Sequence, residues 1–168
     1  MLMIRIVHHH QFAIPEKKLD QALEFFGFPL EAPTYNALIG AYCWSKRVEE
    51  AFKIVEEMRV NGVGPNARTY DVILHHLVRM QRTKEAYEVY QKMSCEPTVS
   101  TYEILVRMFC YVERLDMAVK VWDEMKGKGA PGHMFSRLKE ALLDDGRKEK
   151  VVELAVKMDR LRKTQLLG

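Results

Sequence analysis

The chain has 168 residues, 48% of them hydrophobic and 29% charged, a balance that fits a folded globular protein and excludes a disordered one. Its net charge of +3 is too small to identify an anionic partner by itself. The three cysteines, Cys43, Cys95 and Cys110, are odd in number and have no close pairs, which argues against a disulfide framework or a tetrahedral zinc site and for a reducing compartment.

The opening "MLMIRIV" is too short for the apolar core of a secretory signal. No apolar run approaches the roughly 18 residues a membrane span requires, so no membrane insertion is expected. The "HHH" at His8 to His10 reads as solvated tail, because adjacent histidines do not share a helix face. Residues 1–16 thus form a poorly patterned N-terminal tail, and Pro15 interrupts any helix there. "KKLDQALEFF" at Lys17 to Phe26 matches the second half of a helix pair seen again later, with Ala22 in its small-residue place, so 17–31 reads as a half-repeat.

Over 32–66 the chain predicts two helices. Tyr35, Leu38, Ile39 and Tyr42 follow the spacing of one helical face. Thr34 is placed to cap that helix, and Pro33 suits its first turn. After the polar break "WSKR", Val48, Ala51, Phe52, Val55 and Met58 form the apolar face of a second helix, with Glu49, Glu50, Glu56 and Glu57 opposite. "NGVGPN" supplies the stop.

The same order returns over 67–98, 99–132 and 133–168. Aligned on Tyr35, Tyr70, Tyr102 and Phe135, each copy carries an arginine 12 residues on, a small apolar residue 16 on and a methionine 23 on. These are Arg47, Arg82, Arg114 and Arg147; Ala51, Ala86, Ala118 and Val151; Met58, Met93, Met125 and Met158. The aromatics themselves are 35, 32 and 33 residues apart, so every length change falls between a methionine and the next aromatic. Rigid helix pairs joined by tolerant loops have this signature. The small residue marks the close approach of paired helices, the methionine a helix-end core position, and the arginine a structural brace in the turn. Cys43 and Cys110 occupy equivalent places and read as small buried residues. Of His75 and His76, at most one faces the core. Trp44 and Trp122 sit at different repeat positions and read as packing residues.

One helix pair cannot bury its apolar stripe alone, whereas stacked pairs share a continuous core. The expected fold is all-α, an α-solenoid of nine helices paired antiparallel and stacked in one right-handed superhelix.

The run "TYNALIGAYC", then "RVEEAFKIVEEM", then "GVGPN" resembles the pentatricopeptide repeat (PPR) in its plain P-class form, found in plant organelle proteins. The resemblance covers 32–168 as four repeats and 17–31 as half of one. The Trp-Leu-Gly-Tyr pattern of the related tetratricopeptide repeat is missing from the first helices. The tail "DRLRKTQLLG" and the region 126–168 are similar to the C-terminal end of mitochondrial members, so a fragment or a short gene model is expected.

The resemblance implies single-stranded RNA binding, one base per repeat. It also implies the readout positions: the residue after each aromatic and the last residue of the loop. These are Asn36 with Asn66, Asp71 with Thr98, and Glu103 with Gly132; Ser136 stands in the fourth repeat. Asn36 with Asn66 matches a family combination associated with pyrimidines. Asp71 and Glu103 depart from the usual Asn, Thr or Ser; a carboxylate accepts from a base amino group but repels phosphate. The position that sandwiches the base holds Pro33, Arg68 and Ser100 rather than small aliphatic residues.

Fourteen Lys/Arg face thirteen Asp/Glu over 32–131, whereas 146–163 holds seven against three. That basic end reads either as a phosphate track or as a solvated cap. No phosphate-binding loop, nucleophile elbow or metalloprotease motif is present, so no catalysis, cofactor, metal or small-molecule substrate is expected. Two function classes follow: an RNA-binding protein of organellar RNA metabolism (mitochondrial by resemblance, with the chloroplast as alternative), or a protein-interaction scaffold of tetratricopeptide-like type.

Overall fold

The computed structural model describes residues 31–125 and 131–166, with side chains to residue 159. The tail at 1–16 and the half-repeat at 17–31 except its last residue, and with them the ninth helix, lie outside the described residues. Among the described residues there are eight helices and no strand: α1 Ala32–Trp44, α2 Val48–Val60, α3 Ala67–Arg79, α4 Thr83–Gln91, α5 Val99–Tyr111, α6 Leu115–Glu124, α7 Gly132–Asp144 and α8 Lys148–Leu166. They form two compact units that divide after Glu96. In the first, α1 packs on α2 and α3, and α3 packs on α2 and α4. In the second, α5 packs on α6 and α7, and α7 packs on α6 and α8.

The pairs are held together where the repeated residues fall. Tyr35, Leu38, Ile39, Ala51 and Met58 are fully buried in the first pair, and Ala86 and Ala118 are likewise buried in theirs. Excluding that apolar surface from water stabilises each stack at about 25 cal/mol per Å². The tyrosines also carry a polar tip. Tyr35 Oη accepts from Asn61 Nδ2 at 2.7 Å, and Tyr70 Oη accepts from Arg59 Nη2 at 3.0 Å. Tyr102 Oη donates to the Glu124 carbonyl at 3.4 Å, so each tyrosine ties the end of a second helix to a first.

The repeated arginine is a backbone joint. In each pair the first helix ends in a left-handed residue: Lys46, Gln81, Glu113 or Gly146, at φ 60°, 59°, 57° and 76°. The arginine N–H that follows donates five residues back, to Tyr42, Leu77, Phe109 or Leu142, and the left-handed residue donates to the next carbonyl along. This is the Schellman closure of a helix C-terminus. The carbonyl of the same arginine then accepts from Ala51, Ala86, Ala118 or Val151, which opens the second helix. The side chain adds a link between repeats. Arg82 Nη2 reaches Glu49 Oε1 at 2.8 Å, and Arg147 pairs with Asp116, the acid in the equivalent place.

The structure corrects four local expectations. Thr34 does not cap α1: the helix begins earlier, at Ala32, with extended Glu31 as N-cap and Pro33 in the first turn. Phe52 is exposed and Ile54 is buried in its stead, because Phe52 lies beyond the edge of the stripe that Val48, Ala51, Val55 and Met58 define. Trp44 is half exposed, whereas Trp122 is buried as expected. Cys43 is buried, which pushes its thiol up to about 12, but the equivalent Cys110 is only half-buried.

Candidate nucleic-acid interface

The residue before each aromatic is Thr34, Thr69 and Thr101 in the first three copies, always the third residue of its helix. Asn66 and Thr98 are N-caps. Asn66 Oδ1 accepts from the Thr69 N–H at 3.1 Å while the Asn66 N–H donates to Thr69 Oγ1 at 3.2 Å. Thr98 and Thr101 make the same reciprocal box, at 3.4 and 3.1 Å. These boxes satisfy amides that the start of a helix leaves without partners. They also fix the direction of the residue at the loop end.

Asn36 projects from α1 toward the same point. Thr69 Oγ1 donates to Asn36 Oδ1 at 2.7 Å, so one buried hydroxyl joins both amides of the first sequence-predicted pair. Their oxygens point inward, and among the described residues neither Nδ2 has a protein partner. The pair therefore presents N–H donors to whatever approaches. Asn36, Gly40 and Trp44 follow at four-residue spacing along the edge of α1 that meets α3: a Cβ on Gly40 would lie 3.7 Å from Val72 Cγ1, and Arg79 covers the Trp44 ring at 4.2 Å.

The other predicted positions differ in character. Asp71 is half-buried, at the place on α3 that Asn36 holds on α1, and its charge helps to raise the Cys95 thiol, after burial. Thr98 is exposed but committed to its capping box. Glu103 Oε1 lies 3.0 Å from His133 Nε2, a contact across first helices like that of Asn36 with Thr69. Gly132 is the first residue of α7, one step past the N-cap; the place equivalent to Asn66 and Thr98 is held by Pro131. Ser136 Oγ donates back to the Gly132 carbonyl at 3.1 Å. Sequence reasoning missed Thr69 and His133. The threonine repeated before three of the four aromatics was the available signal for the first; nothing in the pattern marked the second.

The basic C-terminal end is largely matched by acids where its side chains are described. Arg147 pairs with Asp116 and Asp145, Lys150 with Glu153, and Lys157 with Asp123 and Glu153. That pattern favours the solvated-cap reading of this segment. No group of three or more His, Cys, Asp or Glu side chains that could hold a metal ion occurs among the described residues. No helix among them is long and apolar enough to cross a membrane.

Stacked helix pairs with a repeated polar edge define a helical-repeat protein of the α-solenoid class. Solved structures share that fold. The pentatricopeptide repeat protein PPR10 from maize superposes with a TM-score of 0.67 at 21% identity, over 88% of this chain and 22% of PPR10. The PPR domain of Arabidopsis thaliana protein-only RNase P 1, solved in complex with tRNA, gives a TM-score of 0.64 at 21% identity, over 86% of this chain and 83% of that domain. Sequence models described as PPR repeat family and PPR repeat match residues 32–79, 68–96 and 93–126. Together these matches run through more than half of the chain, and the protein belongs to the pentatricopeptide repeat family.

Among its relatives, the Arabidopsis thaliana mitochondrial pentatricopeptide repeat-containing protein At1g71060 is 63% identical over a match covering 46% of this chain. A second mitochondrial member from that plant, At1g77360, is 39% identical over 40% of it. The chain spans 22% and 13% of the lengths of these two relatives.

Proposed function

We propose that this protein binds single-stranded RNA in organellar RNA metabolism, with the repeats 32–66, 67–98, 99–132 and 133–168 each facing one base. The observation that carries the reading is the convergence of Asn36 and Asn66 on Thr69, which leaves two amide nitrogens facing outward at one edge of the first unit. Such donors suit the oxygen acceptor that cytosine and uracil both display, and their single ring leaves room beside the two amides, so this repeat prefers a pyrimidine. The family membership and the fold shared with PPR10, solved in complex with an 18-nucleotide psaJ RNA element, support the same class of ligand. The mitochondrial relatives support a mitochondrial site of action, in transcript processing, stability, editing or translation. The role is binding; the reading assigns no catalytic step.

The second class, a protein-interaction scaffold, draws on one observation: Glu103 places a carboxylate at a readout position, where it opposes phosphate. Fluorescence anisotropy of the full chain with a random single-stranded RNA pool at two salt concentrations separates the two. RNA binding is expected to be saturable and to weaken with salt, by a logarithmic slope of about 0.7 per phosphate contact. Its absence, with a protein recovered by pull-down instead, replaces this reading with the scaffold. The double variant Asn36→Thr, Asn66→Asp shifts the preference toward a purine, and aspartate serves as well as asparagine at an N-cap, so the helix start is kept. Glu103→Asn raises overall affinity by removing a repulsive charge.

A further inference from the structure

We propose that Thr69 is the positioning residue of the first repeat: its hydroxyl fixes the orientation of the Asn36 amide and so sets which bases the repeat accepts. The inference rests on the RNA-binding reading above and deepens it. Thr69 is fully buried. Its Oγ1 accepts from the Asn66 N–H at 3.2 Å, and its single proton goes to Asn36 Oδ1, the shortest of its contacts at 2.7 Å. Asn66 Oδ1 lies 3.3 Å from the same hydroxyl but has its own donor, the Thr69 N–H at 3.1 Å.

The two amides therefore depend on Thr69 differently. Asn66 is oriented by the backbone of residue 69 and keeps that orientation whatever the side chain. Asn36 is oriented by the hydroxyl alone. A primary amide can turn over at small steric cost, which exchanges its donor and acceptor faces. With the hydroxyl present, turning would bring Nδ2 to an oxygen whose proton would then have to point elsewhere. Without it, Asn36 presents either face, and the repeat accepts a base whose edge offers a donor as readily as one that offers an acceptor. Thr69 touches no base; it acts through Asn36.

The test uses the full chain, a fluorescein-labelled single-stranded RNA selected from a random pool, and copies of that RNA changed to a purine at the selected pyrimidine. The quantity read is the ratio of the purine to the pyrimidine dissociation constant. Thr69→Val should lower that ratio about five-fold, what one neutral hydrogen bond of about 1 kcal/mol is worth, while binding to the pool changes less. Thr69→Ser should restore it, since the hydroxyl returns. A ratio unchanged in Thr69→Val overturns the proposal. So does a fall in Thr69→Ser equal to that in Thr69→Val, which would show a packing role for the methyl group. If Thr69→Val fails to fold by circular dichroism, Thr69→Ala decides. It too removes the hydroxyl that orients Asn36, so an unchanged ratio there overturns the proposal. A wild-type chain with no saturable RNA binding removes the RNA reading and this inference together; retained binding with an unaltered ratio removes this inference alone.

Discussion

His76 is 6% exposed and meets the Trp44 ring edge-on at 5.0 Å. Burial above all, with the charges of His75 and Arg79 adding, pushes its imidazole down to about 4. The native state thus holds a neutral ring that the unfolded chain protonates near 6.5. Between those values the unfolded state binds the extra proton, so stability rises with pH through that window and is lost as pH falls from about 6.5 toward 4. At 1.36 kcal/mol per unit, discounted for partial contact of the ring with water, the loss is about 2 kcal/mol. Urea unfolding at pH 7.5 and 4.5 should show it, and His76→Phe should reduce the difference between the two pH values; an equal difference in both proteins would place the acid sensitivity elsewhere. The pairing of a buried and an exposed histidine was legible in the sequence, because neighbours on a helix point apart. Asn36 and Asn66 were legible only through resemblance. Their link through Thr69 was not, since those contacts join residues up to 33 apart, whereas periodicity reports only neighbours within one helix.

Each helix pair turns on four residues whose backbone does the work. Three of the four left-handed positions carry a side chain, Lys46, Gln81 and Glu113, and only the last pair has glycine there. A left-handed conformation costs a residue with a Cβ about 1 kcal/mol, of which glycine returns part through its greater freedom when unfolded. Gln81→Gly should raise the stability of the first unit by a few tenths of a kcal/mol to about 1 kcal/mol, seen as a higher urea midpoint at unchanged slope. At the other extreme, Ala86→Trp forces a ring into a fully buried site at the helix contact and should cost about 1–3 kcal/mol. A neutral result would mean that this face does not carry the pairing. The helices themselves were legible, because apolar spacing and the Gly and Pro stops agree. Their first residues were not: a threonine that looks like a cap in "PTY" is the third residue of its helix, and the distinction depends on backbone angles at Glu31.

Across the molecule the fold class was legible because one spacing recurs four times with all variation in the joints, a pattern that only stacked units produce. The balance of charge along the C-terminal end was not, since Arg147 and Lys157 meet acids 31 and 34 residues earlier in the chain. The arginine joint has a consequence for how the protein breathes. The amides of Arg47, Arg82, Arg114 and Arg147 stand in turns by position, yet each is bonded to a carbonyl of the helix before it. Ala67, Arg68, Val99 and Ser100 are helical by position, yet as first-turn residues they have no carbonyl four places back within their helices. Hydrogen–deuterium exchange should therefore invert the diagram of helices and turns: the arginines stay protected, and the openings of α3 and α5 trade their protons first. Rapid exchange at Arg82 would show that the joint opens on its own. Slow exchange would make each helix pair, with its turn included, the smallest piece of this protein that opens as a unit.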